Sequence, residues 1–242
     1  MKYTFESALE HTNRVSLEIS NQCNYAHLHK RCAASRAEQP KTLPFKVIHR
    51  VMELLSGIHY SRKICFHTYN EPMMDPRLQR LIRMARIACP RSDIFIYTNG
   101  SILDQVLLSE LVEAGASSFR VSAYNDSEYE RLIKLKTDIR FKVNRVEIEK
   151  TWIERIGVYD LPENGSKEPC WAPFTDIQIT HQGLLRLCCV DWQSRHVFGD
   201  LKETDLRKIL EEETIHKTFE RLRKGDRFLD LCKRCGTKRR IA

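Results

Sequence analysis

No apolar run in this chain of 242 residues approaches the ~18 residues that a membrane-spanning helix needs. The opening MKYTFESALE also lacks the pattern of a secretory signal. Internal repeats, low-complexity tracts and an aromatic-rich RNA-binding signature are missing as well. These absences argue against a membrane-spanning or dedicated RNA-binding protein, and they lead us to expect a cytoplasmic one. A hydrophobic content of 42% is enough for a substantial core, either as one large domain or as a domain with a small appendage.

Against that background, nine cysteines are many. A reducing compartment disfavours structural disulfides, so metal or cluster ligation becomes the leading account of the thiols. The net charge of +8 is concentrated at one end: residues 221–242 hold nine Lys/Arg against two Asp. A basic terminus can meet nucleic acid or an acidic partner. A solvated end that keeps the protein soluble explains the same charge, and nucleic acid is not the expected partner.

Strand-like and helix-like patterns alternate over the first 150 residues. RVSLEIS (14–20) has the alternation of a half-buried strand. PFKVIHRVMELLS (44–56) places Val47, Ile48 and Val51 at helical spacing behind a proline. KICFHTY, DPRLQRLIRMARIAC, DIFIYTNG, LDQVLLSELVEAG and SFRVSAYN continue the cycle. Such alternation with short connections predicts parallel βαβ units. In such folds the chemistry sits at the carboxyl ends of strands, where the polar clusters NQCNYAHLHKRC, HTYNEP, TNG and SAYN fall. After LPENGSKEP (161–169) the pattern changes. FTDIQIT-HQG-LLRLCC predicts a hairpin, and ETDLRKILEEETIHKTFERLRKG predicts a helix.

The C-terminal part holds Cys170, the pair Cys188 and Cys189, and Cys232 with Cys235 in CKRC. Four thiolates drawn from these five form a sulfur site suited to Zn²⁺ or to an iron–sulfur cluster. Cys65 and Cys89 stand alone and read as buried, inert thiols.

Taken together, LEISNQCN, CFHTYNEPMM, IFIYTNG, CWAPFTDIQITHQGLLRLCC, FGDL and LCKRC resemble the radical S-adenosylmethionine (SAM) enzymes that carry a C-terminal SPASM-like or twitch auxiliary-cluster module. The resemblance implies an α/β fold, a partial (βα)6 barrel over residues 1–150, and a hairpin-and-helix module over residues 151–242. It implies an auxiliary [4Fe-4S] cluster on Cys170, Cys188, Cys232 and Cys235, and a SAM-binding [4Fe-4S] cluster on the first loop. Glu71 would receive the SAM ammonium, Thr98 and Asn99 would contact its ribose, and Ser122 its ribose or carboxylate. Arg155 resembles an arginine that a member of the family places beside its substrate; being protonated, it suits substrate binding or charge stabilisation. Trp152, Tyr124 and Tyr159 read as core packing rather than pocket lining. The activity implied is formation of a 5′-deoxyadenosyl radical and oxidation of a C–H or carbinol of a sugar, aminocyclitol or peptide, with a flavodoxin- or ferredoxin-type electron donor.

The chain departs from the family in two places. The usual glycine before Glu71 is Asn70, and the first loop reads C-x3-H-x4-C instead of C-x3-C-x2-C. Three readings of that loop stand open. Its ligands are Cys23, His27 and Cys32; or His29 or a distant thiol such as Cys65 completes the set; or the cluster is lost and the loop binds a mononuclear metal or nothing, as in a degenerate metalloprotein that binds or assists a partner through its basic end. Lys30, an ammonium without a lone pair, is no ligand.

Overall fold

The computed structural model describes residues 9, 12–29, 32–37, 39–147 and 157–236. Eight strands form one sheet in the order β5-β4-β3-β2-β1-β6-β7-β8. Strands β1 (Arg14–Leu17), β2 (Lys63–Cys65), β3 (Asp93–Thr98), β4 (Ser118–Ala123), β5 (Arg140–Arg145) and β6 (Asp176–Ile179) pair in parallel. Strands β7 (Leu184–Arg186) and β8 (Val197–Asp200) add to β6 antiparallel. The expected alternation is therefore present, as is the hairpin: β6 and β7 meet around Gly183. Strand β6, which follows LPENGSKEP in the chain, lies beside β1 in the same sheet.

Each crossover helix buries the stripe its sequence pattern marks. Helix α1 (Phe45–Gly57) starts after Pro44 and buries Val47, Ile48, Val51, Met52 and Leu55; α2 (Leu78–Ala88) buries Leu78, Leu81, Ile82 and Ala85. Helix α3 (Gln105–Glu113) is capped by Asp104, whose carboxylate accepts from the Leu107 amide, and α4 (Asp126–Leu132) by Asn125, which accepts from the Glu128 amide. The short α5 (Ala172–Thr175) leads directly into β6. The single helix expected near the C-terminus is two, α6 (Leu206–Leu210) and α7 (Glu213–Arg223). The break falls at Glu211 and Glu212, where acidic side chains oppose the negative end of the α6 dipole, while Glu213 suits the first turn of α7. Helix α8 (Asp230–Arg234) carries Cys232 to Arg234 of CKRC and ends at Cys235.

Two cores result. The larger joins the sheet to α1–α4 and α6–α7. The smaller gathers Val158, Leu187, Val190, Leu222 and Leu231 around four buried cysteines. Several cations of the basic C-terminal region are engaged here: Arg221 pairs with Asp226, Arg234 with Glu163 and Asp230, and the Arg227 guanidinium donates to the Glu168 carbonyl. No described helix is long and apolar enough to cross a membrane.

Candidate functional site

At the carboxyl ends of β1–β4 lies a cleft of about 380 Å³, lined by Cys23, His29 and Cys32 of the first loop, His67 to Glu71 after β2, Tyr97 to Asn99 at the end of β3, and Ser122 and Tyr124 around the end of β4. Residues far apart in sequence thus share one opening because parallel strands all deliver their loops to the same edge.

Glu71 is its anchor. It is 3% exposed and caps a single helical turn, Pro72–Met74, accepting from the Met73 amide at 3.1 Å. The same oxygen accepts from Thr98 Oγ1 at 2.7 Å, and the second oxygen from the Asn99 amide at 2.7 Å. Burial pushes its pKa up to about 7, and these three donors limit the rise. A carboxylate has roughly four lone-pair sites, so the second oxygen keeps one for a cationic ligand. The Asn70 that replaces glycine strains nothing here: the only described non-glycine residues with positive φ are His59 and Ser194. Its side chain instead braces the turn, accepting from the Thr68 amide and donating to the Phe66 carbonyl.

The TNG turn does require its glycine. Gly100 has φ +75°, and a Cβ there would lie 2.4 Å from Val121 Cγ1. Gly100→Ala is expected to cost about 2–4 kcal/mol by adding left-handed strain to overpacking, which lowers Tm by roughly 5–15 °C in a thermal melt. A shift under 2 °C would show that the turn relaxes freely. Asn99 ties this turn to the first loop by donating to Asn24 Oδ1, while Asn24 donates to Ser101 Oγ. Tyr25 of the same loop hydrogen-bonds Glu128 on α4. Sequence reading missed Asn24, Ser101 and Glu128, whose only signal is that they flank the motifs.

Of the expected site residues, the structure brings Cys23, Cys32, Glu71, Thr98, Asn99 and Ser122 together. It does not bring His27, which is exposed and outside the cleft lining, whereas His29 lies in it. Cys65, the last residue of β2, is fully buried with Arg14, Asp176 and Asp93 as its charged neighbours, and it is not part of the cleft lining. Tyr124, expected in the core, lines the cleft with its ring edge against Tyr25 and His29, 5.0 and 5.5 Å away. Tyr159 packs on the smaller core as expected, donating to Asp191 under the Arg195 guanidinium. Arg155 and Trp152 lie outside the described residues.

A second pocket of about 260 Å³ adjoins the first through Tyr69, common to both linings. Glu18, beyond β1, and His181, beyond β6, meet in it with His181 Nδ1 3.0 Å from Glu18 Oε2. Burial alone would push Glu18 up, but Arg186 and His181 more than offset it and hold the carboxylate below its usual range. Arg36 and Lys41 from the first loop's exit and Trp192 from the C-terminal segment complete the wall.

The third pocket is lined by Cys170, Cys188, Cys189, Cys232 and Cys235, with Leu187, Leu222, Leu231 and Arg227. None of the nine cysteines forms a disulfide. Close approach of three chain segments builds the pocket: the Gly165 amide donates to the Lys233 carbonyl at 2.7 Å, Ser166 to that of Cys235, and Cys170 to that of Leu222. A Cβ on Gly165 would lie 2.5 Å from the Lys233 oxygen. Burial, and then the neighbouring thiols, push Cys232 up to about 12 and Cys188 well above the usual thiol range. Thiols held protonated this way must lose protons to bind a metal, and a soft, apolar, sulfur-only donor set fits an iron–sulfur cluster. The donors of the first cleft, two thiols beside an imidazole, fit one as well. Among the described residues, no three His, Cys, Asp or Glu side chains have the arrangement for a single metal ion. A four-iron cluster takes each ligand on a different iron, so its ligands need not meet at a point.

Comparison with known proteins agrees with this layout. Residues 170–236 match SPASM, an iron–sulfur cluster-binding domain. The crystal structure of BtrN in complex with AdoMet and 2-DOIA superposes with a TM-score of 0.78 at 23% identity, covering 93% of both chains. This chain has the radical SAM fold. That fold extends to native anSMEcpe with bound AdoMet, TM-score 0.58 at 11% identity over 91% of this chain and 88% of that one. In sequence, the chain is similar to the S-adenosyl-L-methionine-dependent 2-deoxy-scyllo-inosamine dehydrogenase of Niallia circulans, with 24% identity over 230 residues and 91% of each protein covered. The eight-stranded α/β sheet is thus the radical SAM arrangement expected from the motifs, with the SPASM match beginning at Cys170.

Proposed function

We propose that this chain is a radical SAM oxidoreductase that oxidises a C–H or carbinol of a small hydroxylated molecule. The observation that carries the reading is the pairing of two sulfur-bearing sites across one sheet. Cys23 and Cys32 face the Glu71 cleft, and five thiols gather behind Tyr69, whose hydroxyl donates to the Cys189 carbonyl. When bound, SAM and a reduced [4Fe-4S] cluster supply a 5′-deoxyadenosyl radical, and the protein supplies position and exclusion of water.

In this reading the first loop holds one cluster. Glu71 fixes the SAM ammonium through its remaining lone-pair site, while Thr98 and the Asn99 amide hold the carboxylate in place. Ser122 meets the ribose or carboxylate. Cys170, Cys188, Cys232 and Cys235 hold an auxiliary [4Fe-4S] cluster, with Cys189 as the spare of the pair. Substrate occupies the second pocket, where the Glu18–His181 pair accepts hydrogen bonds from hydroxyls and Arg36 and Lys41 bind polar groups. This pocket shares Tyr69 with the lining of the first cleft, and Tyr69 donates to the Cys189 carbonyl at the C-terminal thiols, which suits a substrate that gives a hydrogen atom on one side and an electron on the other. Its volume and the aminocyclitol dehydrogenase relative favour a small molecule of the sugar or aminocyclitol class over a peptide. Arg155 is proposed as a substrate-side cation, and a flavodoxin- or ferredoxin-type protein in the cytoplasm as the electron donor.

The test is anaerobic reconstitution with iron and sulfide, reduction, and chromatography of the products formed from SAM. The reading expects methionine and 5′-deoxyadenosine in equal amounts. SAM returned intact by a protein carrying about eight irons would sink it.

A further inference from the structure

We infer that His29, not His27, is the third protein ligand of the first-loop cluster, giving a Cys23, His29, Cys32 set; this rests on the proposed radical SAM reading. Against C-x3-C-x2-C, His27 keeps the first interval and spoils the second. His29 keeps the second, since H-x2-C ends the loop as C-x2-C would, and the departure reduces to two residues inserted after Cys23.

The backbone supports that choice. The Ala26 amide donates to the Cys23 carbonyl at 3.0 Å, Leu28 and His29 both donate to the Tyr25 carbonyl at 3.0 Å, and Cys32 donates to that of His29 at 2.8 Å. These tight turns fold the loop so that His27 is left exposed while Cys23, His29 and Cys32 reach the cleft. Both thiols and His29 accordingly line one cleft with Glu71, and the Tyr124 ring 5.5 Å away limits how the imidazole can turn. A neutral imidazole offers a nitrogen lone pair to iron, and nitrogen ligation raises a cluster's reduction potential. Also in the cleft lining, His67 packs at a tilt on Tyr97, ring centroids 4.4 Å apart, and is the rival donor.

The experiment grows the full chain with ring-¹⁵N histidine, reconstitutes it anaerobically, and records pulsed EPR of the reduced protein before SAM is added. Wild type is expected to bind about eight irons and to show a ligating-strength ¹⁵N coupling. His29→Cys is expected to keep the irons, lose the coupling and lower the potential of that cluster. His27→Ala is expected to keep both irons and coupling. A fully loaded wild type without the coupling, or a coupling that survives in His29→Cys and vanishes in His67→Ala or His27→Ala, would overturn the assignment while leaving the radical SAM reading intact. About four irons in wild type would overturn that reading, and the assignment with it.

Discussion

Glu71→Gln is expected to weaken SAM binding about 10- to 100-fold while leaving the iron content unchanged. The side chain keeps its size, but the charge that would meet the SAM ammonium is gone, and a hydrogen bond involving an ionised group contributes about 1.5–3 kcal/mol. The wild-type protein should also show a pH dependence that the variant lacks. Burial raises Glu71 to about 7 in the free protein. An ammonium partner favours the ionised form and lowers that pKa. SAM binding near neutrality therefore expels a proton, and affinity falls about tenfold per pH unit as the pH drops below about 7. Titration calorimetry in buffers of different ionisation enthalpy measures both effects. Equal affinity in Glu71→Gln, or no proton release at pH 7, would remove Glu71 from the SAM site.

Cys232→Ala/Cys235→Ala is expected to lose about four of about eight irons and to separate two activities. SAM cleavage depends on the cleft at the strand ends and should persist. Substrate oxidation should fall by more than a hundredfold, because the second electron loses its acceptor. The damage should be local, since these thiols belong to the smaller core, with Leu222 and Leu231, and not to the core beneath the sheet. Iron assay, 5′-deoxyadenosine yield and substrate turnover on one preparation decide the matter. Unchanged oxidation by a variant holding four irons would make the C-terminal cluster purely structural.

The strand and helix alternation was legible because buried parallel strands and their crossover helices impose hydrophobic periods that short-range reading detects, as in Val47, Ile48 and Val51 on α1. The pairing of β6 with β1 was not legible, since strand order is fixed by contacts 160 residues apart, such as Ser16 with Asp176. In the site, Glu71 and the thiols announced themselves through motifs. Glu18 and His181 did not, because one continues a strand pattern and the other sits at a hairpin turn; only their 3.0 Å approach makes them a pair. The phase of the first loop was hidden for a related reason. Counting residues from Cys23 favours His27, and it takes the folded cleft to show that His29 shares it with the thiols.

The central claim, that the irregular first loop supports SAM chemistry, is tested most directly by counting iron and 5′-deoxyadenosine in parallel for the reconstituted wild type and for Cys23→Ala/Cys32→Ala. The account expects about eight irons and ready SAM cleavage in the first, with about four irons and no cleavage in the second. About four irons and no cleavage in both would contradict it, leaving a protein whose only cluster is the one in the C-terminal module.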